Sequence, residues 1–75
     1  MELNKFVNLI ADQFDDTPKD IFGAETKFRE LEEYDSLVAL SIIAMVDEEM
    51  EKKITGADIR TCETIEDLFN LTLSK

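Results

Sequence analysis

The sequence predicts an all-α fold: a small four-helix bundle with three main helices, one short third helix and a long loop between helices one and two. Three observations lead there. Apolar residues recur at steps of three and four, and no stretch alternates cleanly with period two. Helix-start chemistry recurs at Asp35, Thr55 and Thr64. The 75 residues have room for one core and carry no repeat or low-complexity linker, so residues 1–75 form a single domain.

The first helix is expected from roughly residue 2 to 14. Leu3, Phe6, Val7, Ile10 and Phe14 fall on one helical face, and Asn4, Lys5, Asn8, Asp12 and Gln13 occupy the rest. The stretch Asp15 to Leu31 reads as the long connection. Thr17-Pro18 opens a turn, because proline suits a first helical position. Gly23 interrupts regular structure, and Ile21, Phe22, Phe28 and Leu31 are apolar pins to the core. A loop of this length in so small a domain has its own packing or its own task.

The second helix is expected from Ser36 to roughly Glu51, with Asp35 as its N-cap. Leu37, Leu40, Ile43, Ala44 and Val46 are assigned to its core side, with Met50 at the far end, while Val38, Ala39, Ile42 and Met45 widen the stripe. Thr55-Gly-Ala-Asp58 has the spacing of a capping box and opens the short helix, anchored by Ile59 and Cys62. Thr64-Ile-Glu-Asp67 repeats that spacing and opens the last helix, whose apolar face is Ile65, Leu68, Phe69 and Leu71 or Leu73.

Composition excludes several functions. The chain has no histidine, and so lacks the commonest general base and metal ligand. With no activating base and little room for an enclosed pocket, an enzyme in its own right is disfavoured. No loop has the alternating acids and glycine of a calcium-binding hand. Eighteen acidic residues against eight basic ones give a formal charge of −10. That charge opposes nucleic acid and anionic membrane and suits a basic protein patch, or simply solubility. Cys62, the one cysteine, is read as a small buried apolar residue in a reducing compartment. No signal peptide or spanning run is evident, so a soluble, cytoplasmic monomer is expected.

Ser36 raises a separate question, because it stands between Asp35 and an apolar run. Free amides and the helix dipole put partial positive charge at a helix start, which favours an attached anion by about 0.3–1 kcal/mol. Ser36 has no base to activate it, so it makes better sense as the target of another enzyme than as a nucleophile. Asp35-Ser36-Leu37 at the head of an apolar helix, in a small acidic helical chain, resembles an acyl carrier protein. The resemblance covers nearly the whole chain. Thr26 to Leu31 resembles the family's loop leading to the serine, and Asp47-Glu48-Glu49-Met50 its acidic end of helix two. Ile54, Asp58-Ile59 and Thr64 to Leu68 resemble the stretch that leads into and opens its last helix.

The resemblance implies that a phosphopantetheinyl transferase moves 4′-phosphopantetheine from coenzyme A onto Ser36. The arm's thiol would then carry an acyl group as a thioester to acyl-loading and acyl-transfer enzymes. Asp35 and Leu37 would flank the attachment site, and Asp47 and Glu48 would meet partners. Three positions depart from carriers of bacterial fatty-acid synthesis: Val38 and Ser41 stand where acids are usual, and Glu33 where glycine is. With Tyr34 before Asp35, the chain looks more like the discrete, specialised carriers. Docking is then expected to rest on Leu37, Val38 and Tyr34 more than on charge, unless Val38 and Tyr34 simply pack on the loop. Glu30, Glu32 and Glu33 either replace the missing acidic contacts or form a solvated turn. A carrier of amino-acyl or polyketide groups is an alternative. A non-carrier acidic bundle occupying a basic protein site is another, of a different class.

Overall fold

The computed structural model describes residues 1–75. Its helices are α1 (Leu3–Ala11), α2 (Ser36–Met50), α3 (Gly56–Arg60) and α4 (Ile65–Leu73), with 3-10 turns at Lys19–Ile21 and Phe28–Glu30 and no strand. The fold class is the one expected.

α1 buries Phe6, Val7, Ile10 and Ala11. It stops three residues before the expected Phe14, for a local reason. The amides of Gln13 and Phe14 close on the Ile10 and Ala11 carbonyls at 3.0 Å, tightening the last turn. The Lys19 ammonium then donates to the carbonyls of Ala11 and Phe14, so a cation closes the negative end of the helix. The tightened turn still leaves Phe14 fully buried.

The long connection is packed along its length. Phe28 is fully buried, and Phe22 lies against Phe14 with ring centroids 5.1 Å apart. The first two amides of α4 have no acceptor within their own helix. Ile65 instead donates to the Thr26 carbonyl at 3.1 Å and Glu66 to that of Ala24 at 3.0 Å. Arg29 Nε donates to the Cys62 carbonyl at 2.9 Å. Ile21, expected as a pin, is 47% exposed, because its turn rides on the surface while Phe22 takes the inward position.

Asp35 caps α2 as expected, its carboxylate accepting from the Val38 amide at 2.9 Å. The helix ends at Glu51, whose φ of 55° is the left-handed conformation that glycine usually supplies. Its core side differs from the one expected. Val38, Ile42, Met45 and Val46 are buried; Leu37 and Leu40 are 72% and 60% exposed, Ala44 is exposed and Ile43 is half-buried. α2 is apolar around most of its circumference in its first three turns, so hydrophobicity alone does not choose a face. The choice is made by what packs against it.

Both capping boxes form, at Thr55 with Asp58 and at Thr64 with Asp67. Ile59 and Cys62 are buried as expected, and burial pushes the Cys62 thiol pKa up. α4 lies against α1, with the Phe6 and Phe69 rings 5.2 Å apart. Its fourth buried residue is Thr72, whose hydroxyl donates to the Leu68 carbonyl at 2.8 Å, and Leu73 is 51% exposed. No helix is long and apolar enough to cross a membrane.

Candidate functional site

The head of α2 is fixed from both sides. Downstream, the Asp35 cap settles the Val38 amide, and the Ala39 amide bonds the Asp35 carbonyl at 3.0 Å. Upstream, the Tyr34 amide closes a turn on the Leu31 carbonyl at 3.0 Å. The Tyr34 ring sets its edge on Phe28, with centroids 5.9 Å apart and planes at 75°. Half-burial pushes the Tyr34 phenol pKa up. One residue earlier, Glu33 reaches back to the end of α1. Its carboxylate accepts from the Asp15 amide at 2.7 Å, the Asp16 amide at 3.0 Å and the Thr17 hydroxyl at 2.6 Å. The Thr17 hydroxyl, then the backbone donors, hold the Glu33 carboxyl below its ordinary pKa.

Between these ties sits Ser36, exposed, as the first residue of α2. The Ser36 and Leu37 amides have no acceptor within the chain, as expected of a first helical turn. Leu37 is 72% exposed beside the serine, and Leu40 follows one turn on. Asp47 and Glu48 are exposed toward the other end of the helix, and Asp47 forms a surface ion pair with Lys53 at 3.2 Å. Ser36 and Asp47 lie eleven positions apart along the helix, a rise of about 16 Å.

Two expectations at this site change. Val38 is 9% exposed and belongs to the core, so its side chain is not available as docking surface. Tyr34 is half-buried and braced on Phe28, which makes it chiefly loop packing. The exposed apolar positions are instead Leu37 and Leu40, both of which the spacing places on the core side and the first of which is also expected to dock. A signal for this was present: the polar residues Ser36, Ser41 and Glu48 share the side of the helix that carries Leu37, Leu40 and Ala44. Glu33 had no such signal, because its partners lie 16 to 18 residues away.

Ser36 lines none of the surface clefts, and no group of acids and cysteine is placed to hold a metal ion. An exposed hydroxyl at a capped helix start, with free amides beside it, fits a covalently attached phosphodiester. The Asp35 carboxylate next to it is already turned to the Val38 amide.

Comparison with curated proteins and with solved structures gave no significant match. A family model does match, described as the phosphopantetheine attachment site, and it takes in residues 4–71. Proteins of this family carry 4′-phosphopantetheine covalently and act as carriers. A match that runs from the first turn of α1 to the last turn of α4 leaves only the chain ends outside it, and the chain belongs to the phosphopantetheine-attachment-site family.

Proposed function

We propose that the chain is an acyl carrier whose 4′-phosphopantetheine arm is attached to Ser36 Oγ. The observation that supports this most is the placement of Ser36: exposed, held from both sides, lining no cleft, and beside a carboxylate already engaged by the Val38 amide. Such a hydroxyl is presented to another enzyme rather than used by its own chain. In the modification, the Ser36 oxygen forms the new phosphoester bond with the phosphopantetheinyl group of coenzyme A, the pyrophosphate bond breaks, and the adenosine bisphosphate leaves. The base that takes the serine proton belongs to the transferase. When attached, the arm supplies a thiol that holds an acyl group as a thioester. The chain's own residues do the rest: Asp35 fixes the helix start, and the core keeps α2 rigid beneath the attachment point.

Partner enzymes would dock on the exposed side of α2. Leu37 and Leu40 offer apolar contact beside Ser36, and Asp47 and Glu48 offer charge further along. Val38 and Ser41 in place of acids, with Tyr34 and Glu33 before the serine, support a specialised acyl-transfer pathway over housekeeping fatty-acid synthesis. The absence of histidine, the family's carrier role and the lack of a spanning helix support a soluble cytoplasmic protein without catalytic activity.

Intact mass after incubation with coenzyme A and a broad-specificity phosphopantetheinyl transferase tests the reading. The chain should gain one phosphopantetheine and Ser36→Ala none. No gain with several transferases would refute it, and an acidic bundle that occupies a basic protein site would take its place.

A further inference from the structure

We infer that Glu33 is a positioning residue for the modification of Ser36. Its carboxylate fastens the end of the α1 turn to the segment that leads into α2, and this holds the serine where a transferase can take it. The inference rests on Ser36 being the acceptor.

Three features carry it. The first is the completeness of the clasp. Glu33 Oε1 accepts from Thr17 Oγ1 at 2.6 Å and from the Asp16 amide at 3.0 Å, while Oε2 accepts from the Asp15 amide at 2.7 Å and the Asp16 amide at 3.2 Å. All three groups donate to the carboxylate, and the two backbone amides can do nothing else. A glutamine could keep those amides only by turning its N–H₂ to the Thr17 hydroxyl and reversing that bond, alanine keeps none of them, and an aspartate is a methylene too short to hold the same span.

The second is position. Glu33 lies three residues before Ser36, and the residues between them are also tied. Tyr34 is held by its amide and its ring, and Asp35 by its cap. Of the polar ties on this segment, Glu33 is the one that reaches the end of α1, whereas Arg29 ties the segment to the Cys62 carbonyl before α4, so Glu33 fixes how the segment lies against α1. The third is that the carboxylate stays at the surface. It fills no part of the core, so the clasp orders a loop without adding to apolar burial.

Amide hydrogen exchange and transferase kinetics, measured well below unfolding, test this on the wild-type chain, Glu33→Ala, Thr17→Val and the double variant. Glu33→Ala should speed exchange at Asp15 and Asp16, which lose their acceptor. It should also speed exchange at Tyr34, Val38 and Ala39, whose own acceptors are untouched. If the loosened segment is competent about a third of the time, the transferase KM rises about threefold while kcat is unchanged. Thr17→Val should move both readouts the same way by less. The double variant should be no worse than Glu33→Ala, since both break one clasp. Exchange that rises only at Asp15 and Asp16, or an unchanged KM in Glu33→Ala beside a modified wild type, would overturn the inference. If the wild type accepts no phosphopantetheine, the acceptor role of Ser36 fails by itself. The exchange pattern at Tyr34, Val38 and Ala39 would still decide whether Glu33 positions that segment.

Discussion

Replacing Ile42 by alanine, and separately Leu40 by alanine, asks which side of α2 holds the core. Ile42 is 0% exposed and Leu40 is 60% exposed, although hydrophobicity ranks the two alike. Ile42→Ala removes three methylene equivalents at about 0.8 kcal/mol each, and the cavity left behind brings the cost to about 3–4 kcal/mol. A 75-residue domain has a total stability of about 4–11 kcal/mol, so that is a large fraction of it. At this size each kcal/mol moves the melting temperature by about 4–8 °C, and the expected fall is about 12–30 °C. Leu40→Ala removes little buried surface and gains helix propensity, so its change stays within about 0.5 kcal/mol. Thermal unfolding followed by circular dichroism at the helix band, checked by urea midpoints at constant slope, reads both numbers. Equal falls, or a larger fall for Leu40→Ala, would refute the assignment of faces. Val38→Asp belongs to the same test. On a docking surface it would leave the fold intact; at a 9% exposed core position it buries a charge without a partner and should unfold much of the domain.

The chain should also lose stability in acid. Glu33 is held below its ordinary pKa by the Thr17 hydroxyl and then backbone amides, Asp58 by Lys75 first and then the Thr55 amide, and Asp67 by the Thr64 and Glu63 amides. The native state therefore binds fewer protons than the unfolded state as pH falls. These contributions are present above the unfolded carboxylate values, near about pH 4, and fade as pH drops through the lower folded values. A melting temperature that stays flat between pH 6 and roughly pH 3 would contradict this. Thr64→Ala removes the hydroxyl that accepts from the Asp67 amide at 3.1 Å, and should cost about 1 kcal/mol by urea titration. No measurable loss there would mean that the loop carbonyls of Ala24 and Thr26 suffice to hold the start of α4.

What the sequence disclosed was what it decides locally. Asp35 with Val38, Thr55 with Asp58 and Thr64 with Asp67 are pairs three residues apart, so the helix starts were readable. α1 and α4 have polar residues opposite their apolar ones, and their core faces followed from spacing, apart from the buried Ala11 and the buried Thr72, whose hydroxyl is satisfied within the helix. The ties across the fold were not readable. Lys19 ends α1 from beyond the helix, Arg29 reaches Cys62, Ile65 and Glu66 take loop carbonyls, and Glu33 reaches Asp15, Asp16 and Thr17. Each joins residues whose nearness exists only after the chain has folded, and no composition or period encodes it.

The error on α2 has a different origin, and it bears on function. A helix with one buried side normally shows polar residues opposite, and the contrast reveals the core face. α2 buries Val38, Ile42, Met45 and Val46 on one side, yet keeps Leu37, Leu40 and Ala44 on the other, where folding alone does not require them. That exposed stripe begins beside Ser36 and runs toward Asp47 and Glu48. Under the proposed function it is surface that is buried only when a partner docks. Leucines that start 72% and 60% exposed give up to about 1.5–3 kcal/mol each on full burial. Much of that is offset by the loss of free motion on association. The balance favours docking that is specific but brief, which a carrier needs if it is to pass from one enzyme to the next. The same two leucines that blurred the core face in the sequence are therefore the ones whose replacement by aspartate should weaken partner turnover while leaving the melting temperature nearly unchanged.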